Sequence, residues 1–199
     1  MTLLEIPAES RRERSTPVLE TERLILRAPQ LGDAKTIAKL ANDRRIAENT
    51  ARIPHPYGIA DARQYVTWAN ETRSESAFLI TLDDDTIIGA CGVGQGEGDN
   101  PEIGYWIGVR YWGNGFATEA ARAVVDYAFE RFHYDALHSS ARVTNPASRR
   151  VLEKCGFQWT SAGLGRSRAL NSSVPIDRFR LDRGLWASLK SWGKMTRTA

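Results

Sequence analysis

Hydrophobic spacing along the chain changes character most sharply within residues 102–132. Ile103, Tyr105, Ile107 and Val109 recur at every second position, the period of a β-strand. Beyond Gly113 and Gly115 the apolar positions Ala117, Ala121, Val124, Val125, Ala128 and Phe132 share one helical face, which predicts a helix over 116–132. Upstream, residues 21–27 alternate with Leu24 and Leu26 inward and read as a first strand. Asp33 is placed to cap a helix whose stripe is Ile37, Leu40 and Ala41, and a short helix near 44–49 follows. Pro54-His55-Pro56-Tyr57-Gly58 is a loop, and residues 59–71 carry Ala62, Tyr65, Val66 and Ala69 at helical spacing. Strands over 77–81 and 87–93 are joined through Asp83-Asp84-Asp85 as a hairpin.

Downstream, 136–143 reads as a strand. The next helix is signposted at both ends, by Asn145 at the N-cap, Pro146 at the first helical position and Gly156 just past the end. A strand near 157–160, a Gly-, Ser- and Asn-rich loop through 173, a strand over 174–181 and a closing helix at 185–192 complete the chain. Residues 1–19 are polar and without period and read as a tail. The order of elements implies an α/β (α+β) domain. Its mostly antiparallel sheet has about seven strands flanked by helices, with one βαβ crossover around the glycine turn.

Composition narrows the function classes. At 199 residues the chain suits one domain with a full core, and 42% apolar with 26% charged residues is ordinary for a globular protein. No apolar run approaches the roughly 20 residues needed to cross a bilayer, and no secretory signal opens the chain, so a cytoplasmic location is expected. A net charge of +3 gives no ground for a nucleic-acid partner, although arginines and lysines crowd the last forty residues. Cys91 and Cys155 have neither metal nor redox spacing, and no metal site is expected.

The join at 107–118 has specific chemistry. The first amides of a helix lack intrahelical partners and sit at the positive end of its dipole, and glycines leave them bare. A strand–glycine turn–helix can therefore hold a phosphate, with Arg110 adding a cation at the rim. A P-loop is excluded because Gly115-Phe116-Ala117 replaces Gly-Lys-Ser/Thr, and a dinucleotide fingerprint because the run from Gly113 ends in Thr118. The same turn would also serve packing alone.

Arg110-x-x-Gly113-x-Gly115-x-Ala117 resembles the acyl-CoA loop of the GNAT acetyltransferases. The longer run from Glu102 to Ala120, with the phrase Thr21-Glu22-Arg23-Leu24-Ile25-Leu26-Arg27, is similar to the subgroup containing the ribosomal-protein N-acetyltransferases (RimJ/RimL type). The resemblance covers about residues 20–185, leaving 1–19 as a tail and 186–199 as a C-terminal helix and tail. It implies a sheet splayed at the acyl-CoA site and an acetyl-CoA donor. The diphosphate would rest on the amides of Gly113, Asn114, Gly115, Phe116, Ala117 and Thr118, and pantetheine would pair with the backbone of Ile107 and Val109. The Val109 amide would stabilise the oxyanion. Asn145 would reach the pantetheine arm and Ser148 the thiol; by its residues alone, Asn145 reads first as an N-cap. Relatives often place a Tyr in this helix to protonate the thiolate, and none occurs between Ala147 and Phe157, which leaves Ser148 or water.

An amine acceptor must be in its neutral form to attack the thioester, which calls for a base. Glu102 is the first candidate and His138 the second. His55, Tyr57 and Trp106, with the 54–58 and 163–173 loops, are expected near the acceptor. That acceptor is a peptide N-terminus or a small-molecule amine, with a non-catalytic CoA-binding domain as the alternative from another class. A homodimer is carried as an expectation.

Overall fold

The computed structural model describes residues 16–72 and 76–195; most of the expected N-terminal tail lies outside them. An eight-stranded sheet runs β1 (Leu19–Glu20), β2 (Ile25–Arg27), β3 (Ser76–Thr81), β4 (Ile87–Gln95), β5 (Pro101–Ile107), β6 (Ala136–Arg142), β8 (Ser172–Asp182), β7 (Gln158–Ser167). All neighbours are antiparallel except β5 and β6. The sheet has one strand more than the sequence implies because Leu19–Glu20 pairs with Ile25 and Leu26.

Among the described residues six α-helices accompany the sheet: α1 (Ala34–Ala41), α2 (Arg44–Ala47), α3 (Ile59–Glu71), α4 (Phe116–Arg131), α5 (Pro146–Lys154) and α6 (Arg183–Met195). Every residue of β3 is buried, because both faces of the sheet are covered. Phe78 and Ile80 meet Ala120, Ala121, Val124, Val125 and Ala128 of α4 on one face. Leu79, with Ile87 and Ala90, meets Ile37 and Ala41 of α1 and Ala62 and Val66 of α3 on the other. Ala120 and Phe129 join the buried face of α4, with Ala117 and Phe132 half-buried against the same core. The C-terminal end of α4 and the turn that follows are held by the guanidinium of Arg183, which donates to the oxygens of Phe129 (2.8 Å), Phe132 (2.6 Å) and Tyr134 (2.8 Å), a cation where the helix dipole is negative.

Three expectations are corrected. Asp33 does not cap α1 with its side chain; it accepts from the Gln30 amide (2.7 Å) and from Arg27 (2.8 and 3.1 Å). The central strand stops at Ile107, where Gly108 donates to Ile88 O (2.7 Å) and Val109–Tyr111 forms a 3₁₀ turn. The expected 163–173 loop is largely β-hairpin. Gly163 and Gly165 lie inside β7 because a Cβ there would overlap the Arg178 guanidinium and the Ile176 side chain that cross over them.

Candidate active site

β5 and β6 touch at one parallel register pair, Glu102↔His138, reinforced by Ser139 Oγ donating to Ile103 O (2.8 Å). No further pair follows toward Ile107 and Arg142, so the two strands part toward their C-terminal ends, where the chain continues into the glycine turn and into Asn145.

At the first of these ends the turn is open. Gly113 and Gly115 have φ of 81° and 80°, the left-handed region that glycine enters without strain, and a Cβ on Gly113 would meet nothing within 4 Å. Asn114 braces the turn by donating to the carbonyls of Tyr111 and Trp112 (both 3.1 Å). Among the described residues, the amides of Val109, Gly113, Asn114, Gly115, Phe116 and Ala117 donate no hydrogen bond. Thr118, by contrast, spends its amide on Gly115 O (3.0 Å). Five consecutive free N–H groups at the start of a 16-residue helix fit a diphosphate. Arg110 is exposed beside them, its guanidinium 4.6 Å from the Tyr111 ring centre. The Ile107 carbonyl expected to pair with pantetheine accepts from the Trp112 indole (2.7 Å).

At the second end Asn145 caps α5, its Oδ1 accepting from Ser148 N (3.1 Å). Ser148 Oγ lies 2.9 Å from the Tyr105 hydroxyl, which also reaches Ser148 O (3.1 Å). Tyr105 comes from β5, not from the helix, and its strand alternation marks it only as an inward apolar position. Burial raises its pKa, the hydrogen bond to Ser148 offsetting part of the effect, so the phenol keeps its proton at neutral pH. Burial also raises both thiols, Cys155 to about 11, which removes them as nucleophiles.

On the opposite side of β5, Glu102 accepts from Ser140 Oγ (3.0 Å) and lies against Gly96. It lines a cleft of about 370 Å³ with Asn100, His138, Ser140, Ile176 and Arg178. Burial and the Arg180 charge lower the His138 pKa, against an opposing pull from Glu102 and Asp182, so the imidazole is neutral near pH 7. A Cβ on Gly104 would meet nothing within 4 Å, which leaves room next to Glu102.

Of the three expected acceptor contacts, His55 stands apart from Tyr57 and Trp106. His55 lines a second cleft, of about 250 Å³, with Arg44, Glu48, Ala169 and Leu170 from the tip of the β7–β8 hairpin. Tyr57 is in the core between α1 and α3, where burial and then Asp61 push its pKa up to about 12. Trp106 packs against that same cluster.

A family profile described as an acetyltransferase (GNAT) domain matches residues 23–158. The chain is 30% identical over 146 residues to an uncharacterized N-acetyltransferase, p20, of Bacillus licheniformis, an alignment covering 70% of this chain and 82% of that one. Among solved structures it superposes on Mycobacterium smegmatis RimJ in complex with CoA-disulfide (TM-score 0.72, 17% identity, 89% and 93% of the two chains covered). It superposes equally on spermidine N-acetyltransferase of Vibrio cholerae in complex with CoA and spermine (0.72, 20%, 84% and 99%). The protein belongs to the GNAT family of N-acetyltransferases, whose acetyl donor is acetyl-CoA. No helix among the described residues is long and apolar enough to cross a membrane.

Proposed function

We propose that the protein acetylates the α-amine of a polypeptide N-terminus by direct attack in a ternary complex with acetyl-CoA. One observation carries the choice of acceptor. The clefts on the acceptor face gather few acids: Glu102 in one, and in the other Glu48, already paired with Arg44 at 2.6 Å. A polyamine carries several positive charges and calls for several free carboxylates, whereas a peptide N-terminus brings one charge followed by polar backbone. The α-ammonium, with a pKa of about 7.7–8.0, is also far easier to neutralise than a lysine ammonium near 10.4.

Glu102 takes the amine proton, directly or through water, with Ser140 holding the carboxylate and neutral His138 beside it. The Val109 N–H faces the carbonyl oxygen on which charge develops. Ser148 donates to the departing sulfur while the Tyr105 hydroxyl holds its Oγ in place. Acetyl-CoA supplies the activated acyl group, and the amides of residues 113–117 anchor its diphosphate. The fold is shared with a spermidine N-acetyltransferase and with a ribosomal L7/L12 alpha-N-protein acetyltransferase, so the test is comparative. Thiol release from acetyl-CoA is followed with N-terminal peptides, spermidine and an amino sugar. Peptides are expected to exceed the small amines in kcat/KM by about tenfold or more, 1.4 kcal/mol. Turnover of a small amine with none of any peptide overturns the acceptor assignment.

A further inference from the structure

Outside the residues assigned above, one charged cluster reaches the glycine turn from the start of the described chain. Arg23, between β1 and β2, donates from its own amide to Glu119 Oε1 (2.9 Å) and from Nε and Nη2 to Oε2 (2.8 and 2.6 Å). Thr21 Oγ1 donates to Oε1 as well (2.7 Å). The remaining guanidinium nitrogen, Nη1, donates to Asn114 O (3.1 Å), and the guanidinium lies 4.8 Å from the centre of the Phe116 ring. One side chain thus grips three residues of the turn and first helical turn.

Two consequences follow from geometry and charge. In a trans peptide the carbonyl and the next N–H point in opposite directions. Holding Asn114 O against Arg23 therefore turns the Gly115 N–H to the other side of the chain, away from the guanidinium. Glu119, in the first turn of α4, would by itself set a negative charge against an anion at that helix end. The hydrogen bonds and charge of Arg23 and Thr21 outweigh burial and hold its carboxyl below the usual range, so it is ionised and needs a counter-charge.

We propose that Arg23 is a positioning residue for the diphosphate. It aims the Gly115 N–H and cancels the Glu119 charge, and it acts through the turn rather than by gripping the anion itself. The proposal rests on the reading that this turn holds the diphosphate of acetyl-CoA.

Calorimetric titration with CoA tests it on wild type, Arg23→Met, Arg23→Lys, Glu119→Gln and the double variant Arg23→Met/Glu119→Gln, with thermal unfolding recorded for each. Arg23→Met is expected to bind about tenfold more weakly, 1.4 kcal/mol, and the loss should shrink at high salt, where an unbalanced Glu119 charge is screened. The double variant should regain more than half of that loss, a coupling a direct phosphate contact would not give. Arg23→Lys, which keeps the charge but loses the fork, should fall between wild type and Arg23→Met, and it stands in if Arg23→Met does not fold. Unchanged affinity in Arg23→Met, a salt-independent loss, or a double variant no better than Arg23→Met overturns the proposal. Wild-type protein that takes up no CoA overturns instead the reading beneath it.

Discussion

Gly113→Ala separates a turn that binds from a turn that merely packs. The φ of 81° puts residue 113 in the left-handed region, and an added Cβ would touch nothing within 4 Å. The cost to the free protein is therefore backbone strain alone, about 1–2 kcal/mol. For a chain of this size that lowers Tm by roughly 2–4 °C per kcal/mol. Gly98→Ala is the matched control: φ is 66° and the nearest atom, Asn100 Nδ2, is 3.5 Å from the built Cβ, so strain is similar while the site is remote from the turn. Differential scanning calorimetry should give comparable losses for the two variants. Titration with CoA should then divide them, with Gly113→Ala weaker by about tenfold or more because its methyl stands before the bare amides, and Gly98→Ala unchanged. Equal thermal losses with unaltered CoA binding in both would refute the reasoning, leaving the glycines as packing devices.

Glu102→Gln should cut kcat by roughly 10²–10⁴ while CoA affinity stays at the wild-type value; full turnover in this variant would remove Glu102 as the base. Ser148→Ala should lower turnover, and Tyr105→Phe should lower it by less, because a residue that orients the donor leaves the donor in place; wild-type rates in both would reassign protonation of the sulfur to water. Asp33 is held below its ordinary pKa because its bonds to Arg27 and the Gln30 amide outweigh burial. The stability this contributes is full above about pH 4 and is lost as pH falls through the lower folded value. Arg27→Met removes the guanidinium's share of that contribution, so the Tm gap between it and wild type should narrow as pH falls from about 4 to about 2; a gap independent of pH would contradict the linkage.

Local periodicity made most of this fold legible, and long-range geometry accounts for the rest. The helix at 59–71, the hairpin around Asp83–Asp85 and the strand–glycine–helix join were readable because each is specified by neighbours a few residues apart. The β7–β8 hairpin was hidden because Gly163 and Gly165 mimic a loop, and only the crossing of Arg178 and Ile176 explains them. Leu19–Glu20 was hidden by its brevity. In the site, Glu102 and Asn145 could be singled out from motif and position. Tyr105 could not, since its contact with Ser148 spans 43 residues, and alternation labels it only as inward. The Arg23–Glu119 bond spans 96 residues, and neither partner alone suggests the other. Tyr57 was singled out by its loop, and its burial in the cluster shared with α1 and α3 could not be read from it.

The central claim is that the unbonded amides at the start of α4 hold the CoA diphosphate. Two-dimensional ¹H–¹⁵N spectra of labelled protein, recorded as CoA is added, read those amides one by one. The account predicts large downfield shifts and slowed hydrogen exchange for Gly113, Asn114, Gly115, Phe116 and Ala117, with Thr118, already bonded to Gly115, moving least. Saturable CoA binding that leaves these five resonances in place would contradict it.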